Sequence, residues 1–352
     1  MNLKELAEHL SLSPTTVSRA LNGFPEVGEK TRARVVKAAE QHGYRPNSNA
    51  RRLATGRTGA VGVVFPVERN ALVDPHFLEF LAGVSETLGP QGLDILMSPT
   101  TADREIDTYD RLMHEGSVGG ILVSGADTHD RRIEHLAAHP FPFVAHGRTG
   151  VARPYAYLDI DNEGAFRQAT SLLLDLGHQR IGLINGVAHR NYSQDRRSGY
   201  LAALAERGLT ADPALEAFVP MTVEQGYSSA VRLLEMSWPP TALLCGSTLI
   251  ALGVFQALAE RGLEPGRNVS VIAHDDGLPA VRADLMAKPL TVTRSSIRAA
   301  GARAASMLLA RIAGTPVEAL QEVWPVDLIV RASTGPAPLA GGPSRKSAAA
   351  GN

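Results

Sequence analysis

The 352-residue sequence contains a single cysteine, Cys245, so no internal disulfide framework can form and a reducing compartment fits best. No stretch of about 18 uncharged apolar residues occurs, which predicts no membrane-spanning helix. The opening Met1-Asn2-Leu3-Lys4-Glu5-Leu6 has no apolar h-region, so no secretory leader is expected and a cytoplasmic location follows. Enzyme signatures are missing too. There is no Gly-x-Gly-x-x-Gly after the first apolar run, no phosphate-binding loop and no Gly-x-Ser-x-Gly nucleophile elbow. His129, His135 and His139 recur near one another, but with one cysteine and loop-like surroundings they read as surface histidines. Neither a metal site nor a cofactor nor an enzymatic activity is expected.

The composition that remains, 44% hydrophobic and 20% charged, suffices for a sizeable core, and the length suits two or three domains. The net charge of −1 hides an asymmetry. Residues 1–57 hold ten Lys and Arg against five acids, a charge of +5, which leaves −6 for the rest. A basic head on an acidic body points to a polyanion bound by the head alone, or to a solvated basic face.

Local signals divide the head into three helices. Asn2 and Glu5 have the spacing of a capping box, and Leu3, Leu6, Ala7 and Leu10 recur at helical intervals. Ser13 is a good N-cap with Pro14 at the first helical position, which starts a second helix running to Leu21. Val17, Ala20 and Leu21 form its inner face and Thr15, Thr16, Ser18 and Arg19 its outer one. A third helix from Glu29 to His42 is stopped by Gly43, with Val35, Val36 and Ala39 as core contacts. Two short helices joined by a tight turn, then a third, make a helix-turn-helix unit. On its outer face Arg19 suits guanine O6/N7, and Thr15 and Thr16 suit a base edge or phosphate. A small protein-binding domain is the competing reading.

Leu3-Lys4-Glu5-Leu6-Ala7, Ser13 to Asn22, Thr31-Arg32-Ala33-Arg34-Val35, Gly43 to Asn47 and Ala50-Arg51-Arg52-Leu53 together resemble the head of the lactose-repressor/galactose-repressor (LacI/GalR) family. The resemblance implies that Pro14, Thr15 and Arg19 stand where operator bases are read. It places Thr16, Ser18 and Asn22 at phosphates. Pro14 departs mildly, having no hydrogen-bonding side chain. It further implies a hinge from Asn47 to Leu53 that folds as two copies meet on DNA. Leu53 then enters the minor groove, and Arg51 and Arg52 attract phosphate. A segment this short does not hold a helix alone in water.

From Thr58 onward, short β-rich runs (60–65, 93–97, 120–123, 142–145, 180–184, 242–245, 269–273) alternate with helical stretches (77–88, 163–176, 199–207, 249–261). This alternation predicts parallel sheets covered by helices, with ligands at the strand ends. Leu176 to Gly182, Arg196 to Tyr200, Val269 to Asp276 and Leu328 to Thr334 extend the family resemblance to about residue 335. It implies a sensor of the periplasmic-binding-protein type, with chain crossings near 156–162 and 291–296. The expected architecture is multidomain. It comprises an all-α helix-turn-helix head (1–46), a hinge (47–58), a two-lobed α/β effector-binding and dimerisation domain of two parallel-sheet Rossmann-like subdomains (59–335) and a disordered tail (336–352). The tail has no leucine heptad to form a tetramerising coiled coil.

By the resemblance, Arg196 and Asp275 sit where an effector is held; Asp276, read by itself, is a loop cap rather than a ligand. A guanidinium fork and a carboxylate both suit vicinal hydroxyls. Asp74-Pro75-His76-Phe77 replaces the family's usual Asn-Pro-Phe-Phe, so Asp74 can accept hydroxyls and Phe77 can stack on a sugar face or join the core. Ser124, Arg148 and Ser247 are further effector candidates. Ser247-Thr248 replaces a common Asn-Asp. The stretches 67–77 and 291–297 are similar to the α-glucoside and raffinose repressor type. The expectation is a homodimeric regulator, in the first place a repressor of carbohydrate genes, that binds double-stranded DNA at a pseudo-palindromic operator. A small sugar-like effector would control it. A purine-responsive regulator, an activator and a sugar-binding transport protein are the alternatives.

Overall fold

The computed structural model describes residues 1–44, 58–67 and 73–338. The head contains α1 (Leu3–Leu10), α2 (Pro14–Leu21) and α3 (Glu29–Gln41). Local chemistry sets its boundaries. Asn2 and Glu5 close a reciprocal capping box on α1, and Ser11 ends it in the left-handed region at φ 54°. Ser13 accepts from the Thr16 N–H at the start of α2, and Pro14 costs nothing where no intrahelical donor is needed. Leu6, Ala7, Leu10, Val17, Ala20, Val27, Val35, Ala38 and Ala39 form one core. Val36, expected inside, is exposed, and Ala38 takes its place. Positions 35, 38 and 39 share a helix face, and 36 is rotated about 100° away.

The body contains two six-stranded sheets. The first has the order β11-β5-β4-β3-β1-β2, and its strands are β1 (Ala60–Pro66), β2 (Asp94–Thr100), β3 (Ile121–Ser124), β4 (Phe143–His146), β5 (Ala156–Ile160) and β11 (Gln321–Trp324). The second has the order β12-β10-β9-β8-β6-β7, and its strands are β6 (Ile181–Asn185), β7 (Glu216–Phe218), β8 (Ala242–Cys245), β9 (Ser270–Asp275), β10 (Thr291–Arg294) and β12 (Asp327–Ile329). The two orders are the same wiring used twice. All pairings are parallel except β10 with β12. β1, β6, β8 and β9 are buried along their whole length, as expected of strands covered on both faces.

Helices α4 (Pro75–Leu88), α5 (Glu105–His114), α6 (Arg131–Ala137) and α11 (Ile297–Ile312) cover the first sheet. Helices α7 (Asn162–Asp175), α8 (Asn191–Glu206), α9 (Val223–Leu234) and α10 (Thr248–Glu260) cover the second. α11 follows a strand of the second sheet but packs into the core of the first, where Ala300, Ala304, Ala305 and Leu308 meet Val61, Phe80, Val84 and Leu122. The chain therefore passes between lobes three times, at β5–α7, β10–α11 and β11–β12. Sequence reasoning anticipated two of these. The third joins two short strands whose apolar pattern is too brief to register. At the expected tail boundary, the Ala337 N–H donates to Leu176 O at 2.8 Å, so packed chain extends past 335. The hinge from 47 to 57 and the tail from 339 lie outside the described residues.

Candidate functional site

On α2, Val17 and Ala20 are buried, while Pro14, Thr15 and Arg19 are exposed on the opposite face. Thr16, Ser18 and Asn22 are half-buried at its margin. Thr16 Oγ1 lies 2.8 Å from Ser13 Oγ, and Asn22 Nδ2 donates to Ser18 Oγ at 3.4 Å. A short amphipathic helix thus presents a hydroxyl and a guanidinium to solvent while its aliphatic side chains anchor it. Such a surface can lie in a major groove. Asn47, Arg51 and Leu53 lie outside the described residues.

In the body, the carboxyl ends of β3, β4, β6, β8 and β9 deliver Ser124, His146, Asn185, Cys245 and Asp275. This is where doubly wound sheets place ligands. The two lobes meet here through polar contacts. His76, in the first turn of α4, has Nε2 3.3 Å from Asp276 Oδ2, just beyond β9 in the other lobe. His76 Nδ1 also lies 3.0 Å from Asp74 Oδ1. Asp74 is the N-cap of α4 and accepts from the His76 N–H. Asp276 Oδ1 lies 3.3 Å from His274 Nε2. A chain of alternating acids and imidazoles thus runs from one lobe into the other.

Burial opposes charge on His76, but the Asp276 and Asp74 carboxylates beside it more than offset this and raise its pKa to about 10. Burial also opposes charge on Asp276, yet the His274 and His76 imidazoles hold it well below the ordinary carboxylate range. His274 itself is driven down by burial and by the nearby Arg196 guanidinium, so it stays neutral between Thr293 and Ser295. The charged pair across the lobes is therefore His76 with Asp276.

Arg196 lies on α8, only 4% exposed. Its Nε donates to Asn162 Oδ1 and its Nη1 to Gly246 O, both at 2.7 Å. Its guanidinium stacks on Tyr192 and Phe166, with centroids 4.9 and 5.2 Å away. Burial lowers its pKa, and the Asp276 charge opposes that fall. A buried guanidinium lying over two rings, near the half-buried Asp276 carboxylate, is a preorganised donor for hydroxyls or other oxygens.

A second contact between lobes lies at the loop after β3. Asp127 and Arg190 form an antiparallel bridge in which the Thr128 N–H donates to His189 O and the Asn191 N–H to Ala126 O, both at 3.0 Å. Arg190 Nη1 reaches Asp127 Oδ1 at 2.9 Å. Buried Arg132 props this loop from below, bonding Ser124 O, Gly125 O and Asp130. Asp130 in turn caps α6.

The remaining sequence candidates divide. Arg148 is half-exposed, bonded to Asp159 at 2.7 Å and 3.8 Å from Asp195 in the other lobe. Ser124 ends β3 at the same junction, with its carbonyl on Arg132. Ser247 is fully buried and its hydroxyl caps α10 by accepting from the Ile250 N–H. Phe77 packs against the first lobe's core, 6.3 Å from Phe65, rather than standing free as a stacking platform. The second and third turns of α4 need apolar residues inward, and Phe77 shares that face.

Asp275 and Asp276 face different surroundings. Asp275 Oδ1 accepts from the Gly277 N–H at 2.9 Å, and Asp276 faces the other lobe. Side chains alternate along an extended strand, so adjacent acids cannot both point one way. His76, His274, Asn162 and Tyr192 were not picked out from sequence. His76 stood inside a quoted stretch, but its partner Asp276 lies 200 positions later.

Known proteins share the overall architecture. Residues 2–47 match the family of bacterial regulatory proteins described as the lacI family, and residues 170–334 match a periplasmic binding protein-like domain. The chain is 49% identical over 339 residues to the HTH-type transcriptional regulator AglR of Rhizobium meliloti (strain 1021), covering 96% of this chain and 95% of that protein. It is 35% identical to RafR of Escherichia coli, an HTH-type transcriptional regulator, covering 92% and 96%. Among solved structures, the transcriptional regulator CelR–cellobiose complex aligns with a TM-score of 0.69 at 27% identity, covering 95% of this chain and 99% of that one. The operator-bound Lac repressor dimer shares the fold, with a TM-score of 0.82 at 24% identity over 95% and 99%.

Proposed function

From the chain's membership of the lacI family of bacterial regulatory proteins, we infer that this DNA-binding transcriptional regulator is a cytoplasmic homodimeric repressor of carbohydrate genes, released by a small sugar-like effector held between its lobes. The observation that carries the effector reading is the junction itself. A buried, ring-stacked guanidinium and a desolvated His–Asp pair converge at the ends of parallel strands. These groups suit a neutral, hydroxyl-rich ligand better than an apolar one. The likeness to AglR and RafR fits the α-glucoside and raffinose type.

In this reading, Thr15 and Arg19 touch operator bases and Thr16, Ser18 and Asn22 touch phosphates. Leu53 wedges the minor groove between two folded hinges, with Asn47 and Arg51 beside it. An effector that bridges Arg196 and Asp276 competes with His76 for the carboxylate. The relative energies of the lobe arrangements then change, and with them the order of the hinge. Coupling of this kind is typically about 1–3 kcal/mol. Two heads on one two-fold axis require paired half-sites.

Calorimetric titration of the purified protein with α-glucosides, α-galactosides and purines tests the ligand assignment. One α-linked sugar is expected to bind, with the Arg196→Lys protein weakened for it because a lysine cannot reproduce the fork. Binding of a purine with no sugar response would replace the carbohydrate reading.

A further inference from the structure

We propose that Asp110, His135 and His139, on the outer layer of the first lobe, form a binding site for a divalent transition-metal ion of the zinc class. The three side chains come from two elements. Asp110 lies on α5, His135 in the last turn of α6, and His139 one turn further on. The chain makes a tight turn past the end of α6, as the Ala138 N–H donates to His135 O and the His139 N–H to Leu136 O, both at 3.1 Å. This holds the two histidines on one face at the i, i+4 spacing. Their ring centroids are 4.7 Å apart, and ligand atoms of all three residues lie within 4.8 Å of one another.

The hydrogen bonds already select the ligand atoms. His139 Nδ1 is 2.9 Å from His135 O. A carbonyl can only accept, so Nδ1 carries the proton and Nε2 presents a lone pair. Ligating histidines are oriented in this way. His135 Nε2 faces Asp110 Oδ1 at 2.7 Å. Around a tetrahedral ion with bonds of about 2.0–2.2 Å, donor atoms stand roughly 3.4 Å apart. The Asp110 carboxylate, 42% exposed, has only to swing outward to admit one. Two imidazoles and one carboxylate favour zinc, nickel, cobalt or copper over magnesium or calcium. Three protein ligands leave a position for water. The sequence offered the histidines without their oxygen, which lies 25 positions upstream of His135 on a different helix.

A second histidine pair, His9 and His42, brings two ring nitrogens within 3.3 Å in the head, with no third ligand grouped with them among the described residues. The test therefore compares variants of one tag-free, full-length protein. Zinc uptake is measured by competition with a chromophoric chelator for the wild type, His139→Gln, Asp110→Asn and a His129→Gln control. The wild type and the control are expected to take up one more zinc ion per chain than His139→Gln. Asp110→Asn is expected to bind that ion about 10-fold or more weakly. Zinc should raise the melting temperature of the wild type but not of His139→Gln, since binding to the native state alone stabilises it. Equal uptake by the wild type and His139→Gln overturns the proposal, as does an equal loss in the His129→Gln control. All four proteins should retain operator binding, which reports the head and is independent of the metal result.

Discussion

Arg19 stands on the exposed face of α2, and its guanidinium has no ion-pair partner among the described residues. A side chain held out from its helix without such a partner is available to pair with a base. Arg19→Ala is expected to lower affinity for the operator more than for unrelated DNA, by about 1–3 kcal/mol of discrimination. Fluorescence anisotropy with both duplexes measures this. An equal loss on the two would make Arg19 a phosphate contact. The helices of the head and the exposed face of α2 were legible from sequence because capping and periodicity act within about four residues. His76 was not, because only folding reveals that Asp276 is its partner.

His76 also gives a pH dependence. Its pKa in the folded protein, about 10, exceeds the 6.5 of a free imidazole. The stabilisation from its charged form is therefore complete below about pH 6.5 and is lost as the pH rises toward 10. It also falls in acid, as Asp276 becomes protonated. The denaturation midpoint of the wild type should exceed that of His76→Gln by most between about pH 5 and 6.5, with the gap closing by about pH 10. A gap constant across that range would show that His76 is neutral in the folded protein.

At the scale of elements, the close approach of α4 and α11 positions His76. A Cβ on Gly83 would lie 1.9 Å from Arg298 O, and one on Gly301 would lie 2.0 Å from Phe80 O. The helices therefore touch backbone to backbone, and neither glycine has room for a side chain. Gly83→Val should destabilise the body by about 1–3 kcal/mol, the usual cost of overpacking. By displacing α4, which carries His76, it should also relieve the competition for Asp276 and tighten effector binding. Chemical denaturation and ligand titration check the two effects, and an unchanged midpoint would mean that the helices separate freely. Apolar runs and periodicity located β1, β2, β3, β4, β6, β8 and β9 and helices such as α4, α7 and α10. They did not single out α11. That helix is rich in alanine and glycine, which bury well in tight helix packing but give a weak apolar stripe. β7, β11 and β12, edge strands of three or four residues, were also missed, and the segments of β5 and β10 were picked out only as chain crossings.

On the scale of the whole molecule, a basic head and an acidic body divide the labour, and the same sheet wiring used twice creates two rows of strand ends that face one another. The duplication was implied by alternation in the sequence. The contacts that join the lobes, His76 with Asp276 and Asp127 with Arg190, were invisible there because they arise only when distant loops meet. The central claim is that events at this junction control the head. Its most direct test is binding of the purified protein to its own upstream intergenic DNA, with and without a panel of α-linked sugars. The account predicts tight, salt-sensitive binding that one sugar releases. Failure to prefer that DNA over unrelated sequence, or specific binding that no sugar alters, would contradict it.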